Sequence, residues 1–238
     1  MGTGLNHLIL ALDVERVEEG RDLLSALRGE LKYVKIGHQL YARGGIPFLK
    51  EIMAMDYAVF LDIKVHDIPN TVFMAVDALA SEGLWALILH CGGGRKMLEE
   101  ARRAKDKAGS GTNLLGVTVL TSFDDASWEE DAPGCSMALA LEKRASLCRE
   151  TGMDGIVCSP LDLPVVTAAG KGLFTVVPGV RPASVNDDQA RTATPQKTIG
   201  GGADYIVVGR PIVNAPDRIA AVRNIAAAVE EGLSWKNR

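Results

Sequence analysis

A Gly-rich dinucleotide fingerprint, a C-x-x-C pair and a long apolar run are all missing from this 238-residue chain. The longest apolar stretches are strand-length, well short of the ~20 residues that a membrane-spanning helix needs. Positive charge is not in excess: the formal net charge is −4, which gives no basic footprint for nucleic acid. An anionic small molecule remains open, because a local cluster of Lys and Arg is enough to bind one. No basic n-region or cleavage site precedes the first apolar run at 7–13, and Asn6 stands where a myristoylation signal needs Ser or Thr. A cytoplasmic protein is therefore expected.

Cysteine and histidine are also scarce. Cys91, Cys135, Cys148 and Cys158 read as small buried hydrophobes in a reducing compartment rather than as a metal site or nucleophile. His7, His38, His66 and His90 form neither H-x-x-x-H nor H-E-x-x-H, so no metal is expected. His66 lies among charges and reads as the partner of a backbone group or a carboxylate.

What the chain does have is alternation. Apolar, β-branched runs at 7–13, 33–37, 58–64, 85–91, 114–121, 155–159, 174–179 and 205–210 read as strands. Helical patterns follow them near 15–28, 45–55, 70–82, 94–108, 135–150, 161–169, 194–200 and 216–230. Thr194-Pro195 reads as an N-cap followed by proline at the first helical position. With no linker or composition shift, the chain is expected to form one domain, 1–238. Eight βα units in about 250 residues fit a (β/α)8 TIM barrel of the α/β class. A doubly wound sheet would want G-x-G-x-x-G in its first turn, and "ALDVERVEEG" has none. "GGGRK" at 92–96 matches no phosphate-binding motif and reads as a tight turn.

The strand ends carry charge. "FLDIKVHDIPN" (60–70) starts as a core strand and then places Asp62, Lys64 and Asp67 within a few residues. Alternation puts Asp62 and Lys64 on one face, with Val59, Leu61 and Ile63 on the other. Asp13, Lys35 and Arg210 interrupt or end the first, second and eighth strands at the same rim, where barrel enzymes keep their sites. Lys35, Asp62, Lys64 and Asp67 alternate in sign, so each charge can satisfy its neighbours. A lysine held this way stays protonated and can deliver a proton to a carbanion. At the other side, "VVPGVRPASVNDDQARTATP" (176–195) and "GGADYIVVGRPI" (201–212) follow or contain strands seven and eight, a common phosphate site in barrels. Gly179 and Gly209 permit close backbone approach, Arg210 offers a bidentate fork, and 181–193 reads as a lid.

These residues carry a likeness. "LDIKVHDIPNT" strongly resembles the signature of the orotidine 5'-monophosphate decarboxylase family. "LALDV", "VKIG", "VTVLTS", "VVPGVRP", "DDQAR" and "VGRPI" accompany it in order, so the resemblance spans the chain and is nearest to the free-standing bacterial form. It implies a barrel that acts as a homodimer, without cofactor or metal, on orotidine 5'-monophosphate to give UMP and carbon dioxide. By the same resemblance Lys64 is the proton donor, and Asp62 lies beside the substrate carboxylate. Asp67 reaches the site of the neighbouring subunit, with Thr71 near that boundary, and Ile68, Pro69 and Thr71 count among the substrate-binding residues. Asp13 and Lys35 bind the ribose, and Lys35 belongs to the catalytic charge network. Thr121 or Ser122 meets the pyrimidine. Pro178, Arg181, Gln189, Gly209 and Arg210 serve the phosphate and the lid. "GHQL" and "HCGGG" depart from commoner family forms without touching those positions. Two other readings stay open. One is a Mg²⁺-dependent sugar-phosphate decarboxylase or aldolase sharing D-x-K-x-x-D without the I-P-N-T extension. The other is a non-catalytic barrel.

Overall fold

The computed structural model describes residues 3–181 and 192–236. Its strands are β1 (Leu8–Ala11), β2 (Tyr33–Gly37), β3 (Ala58–Val65), β4 (Ala86–His90), β5 (Asn113–Val117), β6 (Gly155–Val157), β7 (Phe174–Val177) and β8 (Tyr205–Val208). All neighbours pair in parallel, and β1 pairs with β8 to close the barrel in sequence order. Around it run α1 (Val17–Ala26), α2 (His38–Ala54), α3 (Pro69–Ala80), α4 (Gly94–Lys107), α5 (Asp125–Asp131), α6 (Met137–Glu150), α7 (Leu163–Ala169), α8 (Pro195–Gly200), α9 (Arg210–Val213) and α10 (Arg218–Lys236).

The period-2 alternation of each strand builds two apolar layers. Ile9, Tyr33, Phe60, Ile88 and Leu115 meet inside the barrel. Their chain neighbours Leu8, Leu10, Val59, Leu61 and Leu87 pack outward with helix residues such as Leu24, Val72 and Leu98. The N-terminal end is closed by aromatics, although these make up only 5% of the chain. Tyr33, Trp85 and Tyr205 form a triangle with ring centroids 4.6 to 5.5 Å apart, and Phe174 abuts it. Burial, helped by the neighbouring Tyr33, pushes the Tyr205 phenol up to about 12.

Several boundaries differ from the sequence expectation, each for a local reason. β5 stops at Val117 rather than 121: Thr118 still donates to the Val157 carbonyl, and a turn then joins Phe123 N–H to the Leu120 carbonyl. α5 was not expected. It is opened by Asp124 and Ser127, each accepting from the other's backbone N–H in a capping box. α2 begins at His38, ahead of the expected 45, and breaks at Gly45, whose φ of 55° suits glycine. β8 stops at Val208, so Arg210 opens α9 with Pro211 behind it instead of ending the strand. α10 runs past 230 because its end is tied down: Trp235 packs against Gly200, and Lys236 Nζ donates to the Ala203 carbonyl. Thr194 does cap α8, accepting from Lys197 N–H. No described helix is long and apolar enough to cross a membrane.

Candidate active site

The C-terminal mouth of the barrel opens into a cavity of about 580 Å³. Inward-facing strand residues Phe60, Ile88, Val117, Val157 and Val207 make its apolar floor. Lys35, Lys64, Arg181 and Arg210 line it against two acids, Asp13 and Asp62, so the mouth is locally cationic in a chain of net charge −4. That balance suits an anion with an apolar body.

Three adjacent strands hand their charges to one another. Asp62 stands opposite Gly37 in the β2–β3 register, and Lys35 lies one step deeper opposite Phe60. Lys64 Nζ donates to Asp62 Oδ1 at 2.7 Å, and Lys35 Nζ lies 3.2 Å from Asp62 Oδ2. Lys35 also donates to Asp13 Oδ1 at 3.4 Å, completing the chain Asp13–Lys35–Asp62–Lys64. The side chains of Lys35 and Asp62 are only 13% and 12% exposed, against 32% for Lys64 and 60% for Asp13. The middle of the chain is dry, and the ends reach water.

Within one chain the charge that continues the alternating set is therefore Asp13, and Asp67 stands apart from it. Asp67 is exposed, does not line the cavity, and accepts from its neighbour Ile68 N–H at 2.6 Å. The β3 chain turns outward there, with Ile68 68% exposed and Pro69 starting α3. Ile68, Pro69 and Thr71 do not line the cavity of their own chain. Thr121, Ser122, Pro178, Arg181, Gly209 and Arg210 do. Thr121 and Ser122 stand on the loop after β5 rather than on the strand. Arg181 is buried, and its backbone N–H donates to the Ala193 carbonyl. Gln189 and nearly all of the expected lid lie outside the described residues. Cys158 also lines the cavity, a place that its reading as mere packing missed. Cys91 and Cys148 are buried as expected, and Cys135 is half-buried.

Burial works against both charges in the dry middle, and their partners outweigh it. Burial raises the Asp62 carboxyl, but Lys35 and Lys64 together leave it below its usual 3.8. Burial lowers the Lys35 ammonium, but Asp62 and Asp13 leave it above its usual 10.5. By linkage, the Asp62 contribution to stability is present above pH 3.8 and is lost as pH falls through the lower folded value. The Lys35 contribution is present below pH 10.5 and is lost as pH rises through the higher folded value. Lys35→Met removes one of the two cations on Asp62, so the Asp62 carboxyl carbon should titrate at higher pH by NMR than in the native protein. An unmoved or lowered titration would mean that Lys35 does not hold that carboxylate ionised.

The wider likeness agrees with the geometry. Residues 6–225 match the model of the "Orotidine 5'-phosphate decarboxylase / HUMPS family". The curated orotidine 5'-phosphate decarboxylase of Chromohalobacter salexigens is 39% identical over 226 residues, covering 94% of this chain and 96% of that protein. That of Halorhodospira halophila is 41% identical over 228 residues, covering 95% and 97%. A crystal structure of orotidine 5'-phosphate decarboxylase from Lactobacillus acidophilus superposes with a TM-score of 0.83 at 34% identity, covering 94% of this chain and 99% of that one. With its closed parallel barrel and its D-x-K-x-x-D-I-P-N-T strand at the mouth, the chain belongs to the orotidine 5'-phosphate decarboxylase / HUMPS family.

Proposed function

We propose that this protein decarboxylates orotidine 5'-monophosphate to UMP and carbon dioxide, the last step of de novo UMP formation. The observation that carries the reading is Asp62 between Lys35 and Lys64 at the mouth of a cationic cavity. The intact I-P-N-T extension, 68–71, favours it over the Mg²⁺-dependent sugar-phosphate relatives. The reading requires no cofactor and places the enzyme in the cytoplasm.

In this mechanism the nucleotide phosphate binds Arg181 and Arg210, with Gly209 and Pro178 beside it and Gln189 closing over it. Thr121 or Ser122 holds the pyrimidine. Asp13 and Lys35 take the ribose hydroxyls. The substrate carboxylate then lies against Asp62. Two unit negative charges ~4 Å apart at an effective dielectric of ~20 repel by roughly 4 kcal/mol. Breaking the carbon–carbon bond releases neutral carbon dioxide, leaves the electron pair on the ring carbon and removes that repulsion. Lys64 stabilises the carbanion and donates its proton to the same carbon, giving UMP. The neutral amine regains a proton from water.

Asp67 is outside this network in its own chain, and the segment that follows it carries the exposed apolar side chains of Ile68 and, in α3, Met74. We read that rim as the boundary with a second copy, so that Asp67 of each subunit, with Ile68, Pro69 and Thr71 near it, completes the other's site.

The direct test adds orotidine 5'-monophosphate and follows carbon dioxide and UMP. Native protein should turn over, with chelator present or absent. Folded Lys64→Ala should lose at least ~10²–10⁴-fold, the usual worth of general acid catalysis. Near-normal turnover in that variant would remove Lys64 from the chemistry, and a chelator-sensitive activity restored by Mg²⁺ would favour the sugar-phosphate reading. The shared site has its own test. Mixing Lys64→Ala with Asp67→Ala subunits should restore activity, because one site of each hybrid dimer has both residues. No recovery, with subunit exchange demonstrated, would contradict a shared site.

A further inference from the structure

The glycine run 92–94 does not line the cavity. Gly94 has φ 77° and serves the turn into α4. Gly93 has φ −70°, open to any residue, and Gly92 is not among the positive-φ glycines. Their smallness answers a different need. A Cβ on Gly92 would lie 2.8 Å from His90 Nδ1 and 3.5 Å from His66 Cε1. A Cβ on Gly93 would lie 3.1 Å from His66 Cδ2 and would collide with the Met97 thioether. The bare backbone of Gly92 leaves room for the His90 ring, and that of Gly93 for Met97 and, less tightly, for the His66 ring.

Those rings are stacked, with centroids 4.9 Å apart and planes 12° from parallel. Gly92 N–H donates to His90 Nδ1 at 3.0 Å, which places the proton of the neutral ring on Nε2. His66 itself is exposed, and a ring face rather than a carboxylate is its partner. Just before it, β3 does something costly. It leaves the β4 ladder after Leu61, which pairs with Leu87, and rejoins at Val65, which pairs with Leu89. Between these points Lys64 has φ 42°, a left-handed conformation that is strained for a side-chain-bearing residue unless its surroundings hold it. Val65 pairs with Leu89, and His66 lies on His90, so the last residue of β3 and the one after it are pinned to the last two of β4. The turn that sends Lys64 Nζ to Asp62 is fixed on both sides.

We propose that His66 is a positioning residue: seated on His90 and the Gly92–Gly93 backbone, its ring holds the left-handed turn that presents the Lys64 ammonium to the reacting carbon. The proposal rests on the decarboxylase reading for its kinetic consequence, but not for its structural one.

The test compares His66→Ala, which removes the plate, with His66→Phe, which keeps a flat ring. A displacement of ~1 Å at a reacting group can cost ~10²-fold. His66→Ala should therefore lower kcat for orotidine 5'-monophosphate by about 10- to 100-fold, with KM within about threefold because the phosphate and ribose groups stand on other elements of the barrel. His66→Phe should recover most of kcat. Hydrogen–deuterium exchange of a peptide spanning 64–67 should quicken in the alanine variant and not in the phenylalanine one. The exchange measurement needs no substrate. Native protein that fails to decarboxylate would overturn the functional reading alone, while unchanged exchange in His66→Ala would overturn the clamp. In an active enzyme, unchanged kcat in His66→Ala, or a loss that phenylalanine does not recover, overturns the positioning role.

Discussion

The Asp62 carboxylate holds two ammonium groups, one on each oxygen, at the dry centre of the barrel mouth. Without Asp62, Lys35 would be a mostly buried cation with one weak partner, and Lys64 would lose the contact that aims it. Without the lysines, a carboxylate 12% exposed would face its full desolvation cost. Each group makes the others tolerable, and the set is carried on or just beyond three consecutive strands, β1, β2 and β3, whose parallel pairing brings their C-terminal ends side by side. The apolar floor beneath and the aromatic plug at the far end keep water from the underside, so the charges meet solvent through Asp13 and Lys64 alone among the four.

This division of labour explains a chain of net negative charge with a cationic mouth. Ion pairs such as Lys105–Asp154, Lys107–Asp77 and Arg223–Glu30 occupy the helices and the strand starts. The four basic groups at the cavity outnumber its two acids. In the proposed mechanism that surplus receives the phosphate, while the single acid placed deepest meets the carboxylate that must leave.

The barrel was legible because strands buried on both faces read as short continuous apolar runs, which the helical patterns between them set apart. Phe60 and Leu61 sort to opposite layers by position alone. Boundaries were less legible where polar contacts decided them. The Asp124–Ser127 capping box was present in the sequence but lacked an apolar period beside it. The end of β8 was obscured because Gly209 adds no break of its own and Arg210 reads as a charged strand end, although it opens α9. The placement of Asp62 with Lys64 followed from spacing. The contact of Asp13 with Lys35, and the distance of Asp67 from its own chain's network, did not, because they depend on β1 lying beside β2 and on the outward turn at Ile68. The seat for His66 was hidden for a similar reason: glycines that serve a neighbour's ring look, in sequence, like glycines that serve a turn.

The account stands or falls on negative charge at position 62. Asp62→Asn keeps the shape and removes only that charge, so steady-state decarboxylation of orotidine 5'-monophosphate by the folded variant isolates it. The account predicts a kcat lower by about 10²-fold or more, the scale on which loss of one preorganised electrostatic group is felt. A neutral variant that turns over like the native protein would contradict it.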